Sequence, residues 1–186
     1  MTRKRVFLLT ILVLVCLAIV LYVCIGKTNY KSVIDEAKLV AYENADEVID
    51  DSVLIVRVKK ISETAKEYPL ENGIVDRFTL STVKIIEVYK NTHDAEIVEG
   101  SKIEILESQW TDEENKTVHH TAGYLKMKTG NEYLLCLGYN PSVDNYYPTG
   151  LLCGKIPVDS REQLFLASGY EQINEMVQDL RNKYIK

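Results

Sequence analysis

Histidines have the most versatile side-chain chemistry, and this chain has three of them. His93 lies in a polar segment, and His119 and His120 are adjacent in the sequence. A metal site needs several ligands that converge on one point, whereas neighbouring residues on a strand point to opposite faces. The pattern therefore predicts no metal site, and we interpret the three histidines as solvated surface residues.

A catalytic nucleophile would be a serine or cysteine in a sharp turn beside a histidine base. The chain has no Gly-x-Ser-x-Gly sequence, and Ser168-Gly169 is typical of a helix cap. Cys136 lies among leucines, where burial would suppress its reactivity. Gly26-Lys27-Thr28 ends like a phosphate-binding loop but lacks the glycine that should precede it. We therefore predict no catalytic residue, no cofactor-binding residue and a protein that is not an enzyme.

Paired carboxylates such as Asp50-Asp51 and Glu113-Glu114 are the groups that glycoside hydrolases use for acid–base chemistry. That chemistry needs two carboxylates facing each other across a cleft, which adjacent residues in an acidic chain do not indicate. We interpret these pairs as solvated faces. A cell-envelope hydrolase, or an inhibitor-like protein acting on wall or peptide substrates, is the alternative function.

Tyrosine is the abundant aromatic residue, with 12 copies against 3 Phe and 1 Trp. Tyr139, Tyr146 and Tyr147 flank two prolines in a segment that we predict to be one long loop between the last two strands. Tyrosine suits interfaces because its ring is apolar and its hydroxyl forms hydrogen bonds. These three residues are therefore the candidate partner-binding residues; packing over the end of a barrel is the alternative.

Segments rich in β-branched residues, separated by turn residues, predict five strands. We expect them at Ser52 to Ile61, Ile74 to Lys90, Lys102 to Gln109, Glu132 to Tyr139 and Leu151 to Val158. A change of apolar phase inside the second strand indicates a β-bulge or a strong bend, and Ser62 to Glu71 is expected to be a loop. The hairpin-like connections favour a small antiparallel barrel.

Helices are predicted on both sides of these strands. Ser32 to Asp50 has apolar residues at helical spacing, with Ser32 as its cap and a break at Asn44 as an alternative. Ser160 with Gln163, and Ser168 with Glu171, match the capping-box spacing and predict two helices in series. The second should pack on its own domain through an apolar stripe of Ile173, Met176, Val177, Leu180 and Tyr184.

The run from Val6 to Ile25 contains no Asp, Glu, Lys, Arg or His. Twenty helical residues span roughly 30 Å, the hydrocarbon thickness of a bilayer. The basic cluster Arg3, Lys4 and Arg5 favours a cytoplasmic N-terminus. We therefore expect a single-pass anchor that contacts the lipid bilayer of the cell membrane, with the C-terminal domain extracytoplasmic. A cleaved signal peptide is the alternative.

Net charge limits the classes of partner. The whole chain carries a formal charge of −5, and without the three basic residues before the anchor the remainder carries −8. Nucleic-acid binding needs a basic stripe, so we predict no nucleic-acid partner. An anionic membrane surface would also repel this domain.

The four cysteines divide into two kinds. Cys16 and Cys24 lie in the apolar run, whereas Cys136 and Cys153 lie on separate apolar segments of the C-terminal domain. An extracytoplasmic location permits a disulfide between the latter two. Their spacing is equally compatible with two buried thiols.

Several segments resemble those of a known group of proteins. The main ones are Gly130 to Leu137, Tyr147, Gly150 and Gly154 to Pro157. Three earlier segments fit the same order along the chain: Ala45-Asp46, Val53 to Val56 and Val83 to Tyr89. Over roughly Ala45 to Ser160 the chain resembles extracytoplasmic membrane-anchored proteins of Gram-positive bacteria with an OB-type barrel of the netrin-like group, which includes the tissue inhibitors of metalloproteinases. The resemblance implies the fold. Those inhibitors depend on an N-terminal cysteine and several disulfides, and this domain has no cysteine near Lys27, so their mechanism is not expected here.

Together these observations predict an α+β protein in four parts. They are a cytoplasmic stub and transmembrane anchor (1–26), a helical lead-in (27–51), an OB-like barrel of about five strands (52–158) and C-terminal helices (159–186). The expected function is an extracytoplasmic binding module with a protein partner at the cell surface and no cofactor. An accessory subunit of a membrane complex, with the anchor as the contact, is a further alternative.

Overall fold

The computed structural model describes residues 30–70, 73–94, 96–166 and 169–185. Over these ranges the protein is α+β, and its elements in chain order are β1 (Lys31–Asp35), α1 (Ala45–Asp51), β2 (Leu54–Pro69), β3 (Val75–Asn91), β4 (Lys102–Glu107), β5 (Gln109–Asp112), β6 (Thr117–Thr121), β7 (Glu132–Asn140), β8 (Asn145–Pro148), β9 (Lys155–Pro157) and α2 (Glu171–Tyr184). None of the helices in these ranges is long and apolar enough to cross a bilayer. The predicted anchor, Val6 to Ile25, lies outside the described residues.

The strands form two sheets. A three-stranded sheet has the order β1-β6-β5, and a six-stranded sheet has the order β2-β3-β4-β8-β7-β9. Strand β2 also pairs with β7, so the pairings lead from β2 through β3, β4, β8 and β7 back to β2. The pairings of β1 with β6 and of β4 with β8 are parallel, which the prediction of a purely antiparallel sheet did not include.

Strand β7 is central and buried on both faces. Tyr133, Leu135 and Leu137 belong to one apolar cluster with residues of β2, β3 and β4. Leu134 and Cys136 belong to a second cluster, which includes residues of both helices. Because side chains alternate along a strand, covering both faces requires the continuous apolar run that the sequence shows here.

The hairpin of β2 and β3 is long and irregular. Its register jumps at three places, as where Ile55 pairs with Lys90 and Val56 pairs with Val88, leaving an extra residue on β3. These jumps confirm the predicted bulge or bend. The predicted loop from Ser62 to Glu71 is wrong, because β2 continues to Pro69. We call the outer half of this hairpin, residues 62–69 and 75–82, the hairpin arm. Most of its residues on β2 are exposed.

The predicted helix from Ser32 to Asp50, and with it the helical lead-in, is wrong in its first half. Residues Lys31–Asp35 form β1, which pairs with β6. Helix α1 begins only at Ala45, where the Asn44 side chain accepts a hydrogen bond from Glu47 N. Pairing with a distant strand overrides the weak local helix propensity of the first segment.

The C-terminal predictions are partly correct. The last strand is shorter than predicted, because Gly150 and Leu151 have positive φ and form a turn before Lys155. The helix predicted to begin at Ser160 is wrong, because the structure has turns there. Gln163, the predicted capping-box partner of Ser160, donates its amide to Phe165 O instead. Helix α2 is present, and its predicted apolar stripe packs on its own domain.

Candidate functional site

Tyr139 and Tyr146 lie opposite each other on the hairpin formed by β7 and β8. Their ring centroids are 5.3 Å apart. His93, which follows β3, packs on Tyr139 with a centroid distance of 3.9 Å and meets Tyr146 edge-on at 5.8 Å. We call these three rings the aromatic cluster. Tyr146 belongs to the hydrophobic core and Tyr139 packs against it, so the core positions two of the three rings.

A cleft of about 280 Å³ borders the aromatic cluster, and charged residues line much of it: Asp94, Lys102, Glu104 and Asp144. The Tyr139 hydroxyl donates to Asp144 Oδ1 at 2.5 Å, and this hydrogen bond raises the pKa of Tyr139. Burial raises the pKa of Tyr146 to about 12. Both phenols are therefore neutral near pH 7 and offer aromatic stacking and hydrogen bonding.

Tyr147 lies on the opposite face of β8 from Tyr146, because neighbouring residues of a strand alternate. It pairs with Gly138, and its ring lies so close that a Cβ at Gly138 would be 2.6 Å from Tyr147 Cζ. Its side chain is 42% exposed. Because Gly138 has no side chain, the Tyr147 ring can pack directly against the backbone of β7.

The predicted long loop between the last two strands is wrong. Tyr139 is on β7, Tyr146 and Tyr147 are on β8, and the turn between them is residues 141–144. The structure brings Tyr139 and Tyr146 together and separates Tyr147 from them. The partner-binding role of the three tyrosines stays a prediction.

A second cluster of functional groups is buried, and sequence reasoning missed it. Lys60 Nζ lies 3.2 Å from Glu107 Oε1, and both side chains are fully buried. The same carboxylate accepts from the Ser81 hydroxyl, from Tyr124 Oη at 2.9 Å and from Met127 N at 2.7 Å. These contacts tie three strands to the segment that precedes β7.

Lys155 joins this buried group from β9. Its ammonium donates to Leu125 O and lies 4.5 Å from the centre of the Tyr124 ring. Burial lowers the pKa of Lys155 to about 8. A lysine with such a pKa is chemically suited to act as a base or nucleophile. Here the side chain is almost inaccessible to solvent and its ammonium is engaged, so the arrangement fits fold stabilisation better than catalysis.

The sequence did contain a signal for this group. Ile103 and Ile105 are the inward residues of β4, and Glu107 continues the same alternation. Val56 and Val58 are likewise inward on β2, and Lys60 continues that alternation. A charged residue at an inward position of each of two strands indicates a buried ion pair.

His93 is exposed, as predicted, whereas His119 and His120 differ from the prediction of solvated surface residues. His120 is buried, and its Nδ1 lies 3.0 Å from Tyr124 O. His119 stacks on Trp110 with a centroid distance of 4.0 Å, and its Nδ1 lies 3.1 Å from Asp35 Oδ2. The two histidines are consecutive on β6 and point to opposite faces, as expected. Among the described residues no group of three or more His, Cys, Asp or Glu side chains is arranged to hold a metal ion.

No protein-family model matches the chain, and no curated protein matches it.

Proposed function

We propose that this chain is a membrane-anchored binding module, with an OB-type barrel held outside the cell membrane. The barrel is supported by the pairings that return from β7 to β2, and by the single parallel contact between β4 and β8. Inward-facing residues of these strands form one apolar cluster, as a small closed barrel requires.

The aromatic cluster is the observation that carries the binding function. His93 and Tyr139 form a partly exposed aromatic surface beside a cleft whose charged lining is three carboxylates and one lysine. Rigid aromatic side chains lose little entropy on binding, which is why they are common at the centres of interfaces. The mixed charges of the cleft suit a protein partner better than a polyanion.

The location rests on the apolar run from Val6 to Ile25 and the basic residues that precede it. Together they favour a single-pass anchor with a cytoplasmic N-terminus. The resemblance to extracytoplasmic proteins of Gram-positive bacteria supports the same arrangement.

The test is a pull-down in mild detergent from the native membrane, with the full-length chain and with a chain that starts at Asn29. A partner retained by both would support recognition by the barrel. A partner retained only by the full-length chain would make the anchor the contact and favour an accessory subunit of a membrane complex.

Point variants then locate the contact. Tyr139→Ala and His93→Ala remove the partly exposed rings of the aromatic cluster, and we expect each to weaken partner capture at least tenfold. Tyr147→Ala removes an exposed tyrosine from the other face of the hairpin and is the matched control. Capture that is unchanged in all three variants would exclude this hairpin as the binding surface. Tyr146→Ala is unsuitable because only 8% of that residue is exposed, and its loss would damage the core.

A further inference from the structure

The turn between β2 and β3 exposes apolar side chains. Leu70, Ile74 and Val75 are 46%, 59% and 37% exposed. They lie together in the sequence around Gly73, which has a φ of 77° and turns the chain. We call these three residues the apolar tip. Exposed apolar residues that cluster at the end of a projecting hairpin mark an interaction surface.

The hairpin arm makes contacts on both of its faces. On one face the Arg77 guanidinium lies 5.1 Å from the centre of the Trp110 ring on β5. On the other face Tyr68 packs edge-on against Phe78, and its hydroxyl donates to Asn145 Oδ1 at 2.8 Å. Arg77 also pairs with Glu67 across the arm.

The arm runs alongside β5 towards the turn between β5 and β6. The Thr79 hydroxyl donates to Gln109 O at 2.6 Å, and Arg77, two residues nearer the tip, contacts Trp110. Glu67 and Arg77 also line one cleft with Thr111 and Glu113, so the arm follows β5 towards the turn that precedes β6. The apolar tip lies a few residues further in that direction.

The chain enters the domain beside the same turn. The Tyr30 hydroxyl donates to Glu113 Oε2 at 2.5 Å, and Lys31 N donates to Lys116 O at 2.9 Å. Ile25, the last residue of the apolar run, is five residues before Tyr30. Five residues reach at most roughly 18 Å. If Val6 to Ile25 spans the bilayer, the turn between β5 and β6 must lie close to the membrane surface.

We infer that the apolar tip inserts its side chains into the lipid surface beside the anchor, as a second contact between this domain and the membrane. This inference rests on the proposed anchoring. It accounts for the exposure of three large apolar side chains, Leu70, Ile74 and Val75, at the end of one hairpin.

The contact is apolar rather than electrostatic. From Lys66 to Arg77 the sequence has two basic residues, Lys66 and Arg77, and three acidic residues, Glu67, Glu71 and Asp76, so its formal net charge is −1. Such a surface gains nothing from anionic headgroups and requires only accessible hydrocarbon. Phosphatidylcholine membranes should therefore be sufficient, and added salt should not release the tip.

The test uses the full-length chain reconstituted in phosphatidylcholine vesicles. It carries Trp110→Phe, which removes the one native tryptophan and keeps an aromatic ring beside Arg77. Ile74→Trp places a fluorophore in the tip, and Val98→Trp places one in the segment after the other end of β3. Val98 is 56% exposed, so the two positions are matched in solvent access. With nitroxide-labelled phosphatidylcholine, we expect quenching of at least twofold for the Ile74→Trp variant and little for the Val98→Trp variant.

Flotation of the same vesicles after an alkaline wash tests the membrane anchor separately from the membrane contact of the apolar tip. Chains that float but show equal quenching at both positions would overturn the membrane contact of the tip and leave the anchor intact. Chains that do not float would overturn both. An Ile74→Trp fluorophore that is shielded from water but not quenched, with chains that crosslink in pairs, would assign the tip to a second copy and overturn the inference.

Discussion

The ammonium of Lys60 lies 3.2 Å from the carboxylate of Glu107, and neither side chain is exposed to solvent. Lys60 also donates to Met127 O, and Glu107 accepts from Met127 N, so both members of the pair hold the same residue. The pair thus fastens the segment before β7 to β2 and β4. Breaking one partner of a buried ion pair costs about 3–5 kcal/mol. Without the Glu107 charge, Lys60 would keep only its ion pair with Glu63, whose side chain is 33% exposed, so we expect a cost at the lower end of this range.

We therefore expect Glu107→Gln to lower the free energy of unfolding by about 3 kcal/mol in urea titrations. Lys183→Met is the control, because the ion pair between Lys183 and Asp46 is exposed. Exposed pairs contribute at most about 1 kcal/mol. If the two substitutions lower the free energy of unfolding equally, the buried ion pair of Glu107 contributes no more to stability than an exposed one.

Lys155 gives the stability of the protein a pH dependence. Its pKa is about 8 in the folded protein, below the ordinary value of 10.5, because burial disfavours its charged form. Between these two values the unfolded chain binds more protons at this residue, so stability rises with pH in this window. The gain is up to about 1.4 kcal/mol per pH unit.

The comparison with Lys155→Met isolates this effect, since methionine does not titrate. The difference in unfolding free energy between the original chain and this variant should move in favour of the original chain as pH rises from 7.5 to 9.5. Urea titrations across this range measure it. A difference that stays constant with pH would mean that Lys155 titrates alike in both states.

Two glycines of the sheet should respond very differently to alanine. At Gly154 a Cβ would lie 2.4 Å from Thr149 N and 2.5 Å from Thr149 O, and backbone atoms cannot move without disturbing β7. At Gly138 it would meet only the end of the Tyr147 ring, which can rotate away. We expect Gly154→Ala to cost at least about 3 kcal/mol and Gly138→Ala less than about 1 kcal/mol, from thermal unfolding. The reverse order would contradict the close approach at Gly154.

Cys136 and Cys153 are free thiols in the described residues, and both are buried. Burial raises the pKa of Cys136 to about 12 and that of Cys153 to about 11. The reactive thiolate is therefore scarce at pH 8. In a chain with Cys16→Ser and Cys24→Ser, we expect negligible labelling by iodoacetamide in the folded state and labelling of both residues in urea. Absence of labelling in urea without a reductant would instead indicate a disulfide.

Much of the secondary structure could be predicted from the sequence, where local pattern and tertiary role agree. The continuous apolar run of β7 indicates a central strand, and the phase change in β3 indicates its bulges. The apolar stripe of α2 identifies the face that packs on the sheet. In each case the signal is the spacing of apolar residues, which burial on one or both faces imposes directly.

Only the tertiary structure decided the elements that depend on distant partners. Residues Lys31–Asp35 are a strand because β6 offers hydrogen bonds, and nothing in their own pattern indicates it. The arm of β2 is polar on both faces, so no apolar alternation distinguishes it from a loop. Tyr146 and Tyr147 are neighbours in sequence, yet the alternation of β8 sends one into the core and the other to the surface.

The buried group of Lys60, Glu107 and Lys155 also depends on distant partners that the local sequence does not indicate. Inward alternation marks Lys60 and Glu107 individually, but the pairing between their strands that brings them together is a long-range property of the fold. What the sequence determined by itself is composition, charge and local periodicity: an apolar run of bilayer length, an acidic domain and its main strands. Which charged and aromatic side chains meet was decided by tertiary structure, because strand order and register are set by the packing of the whole core.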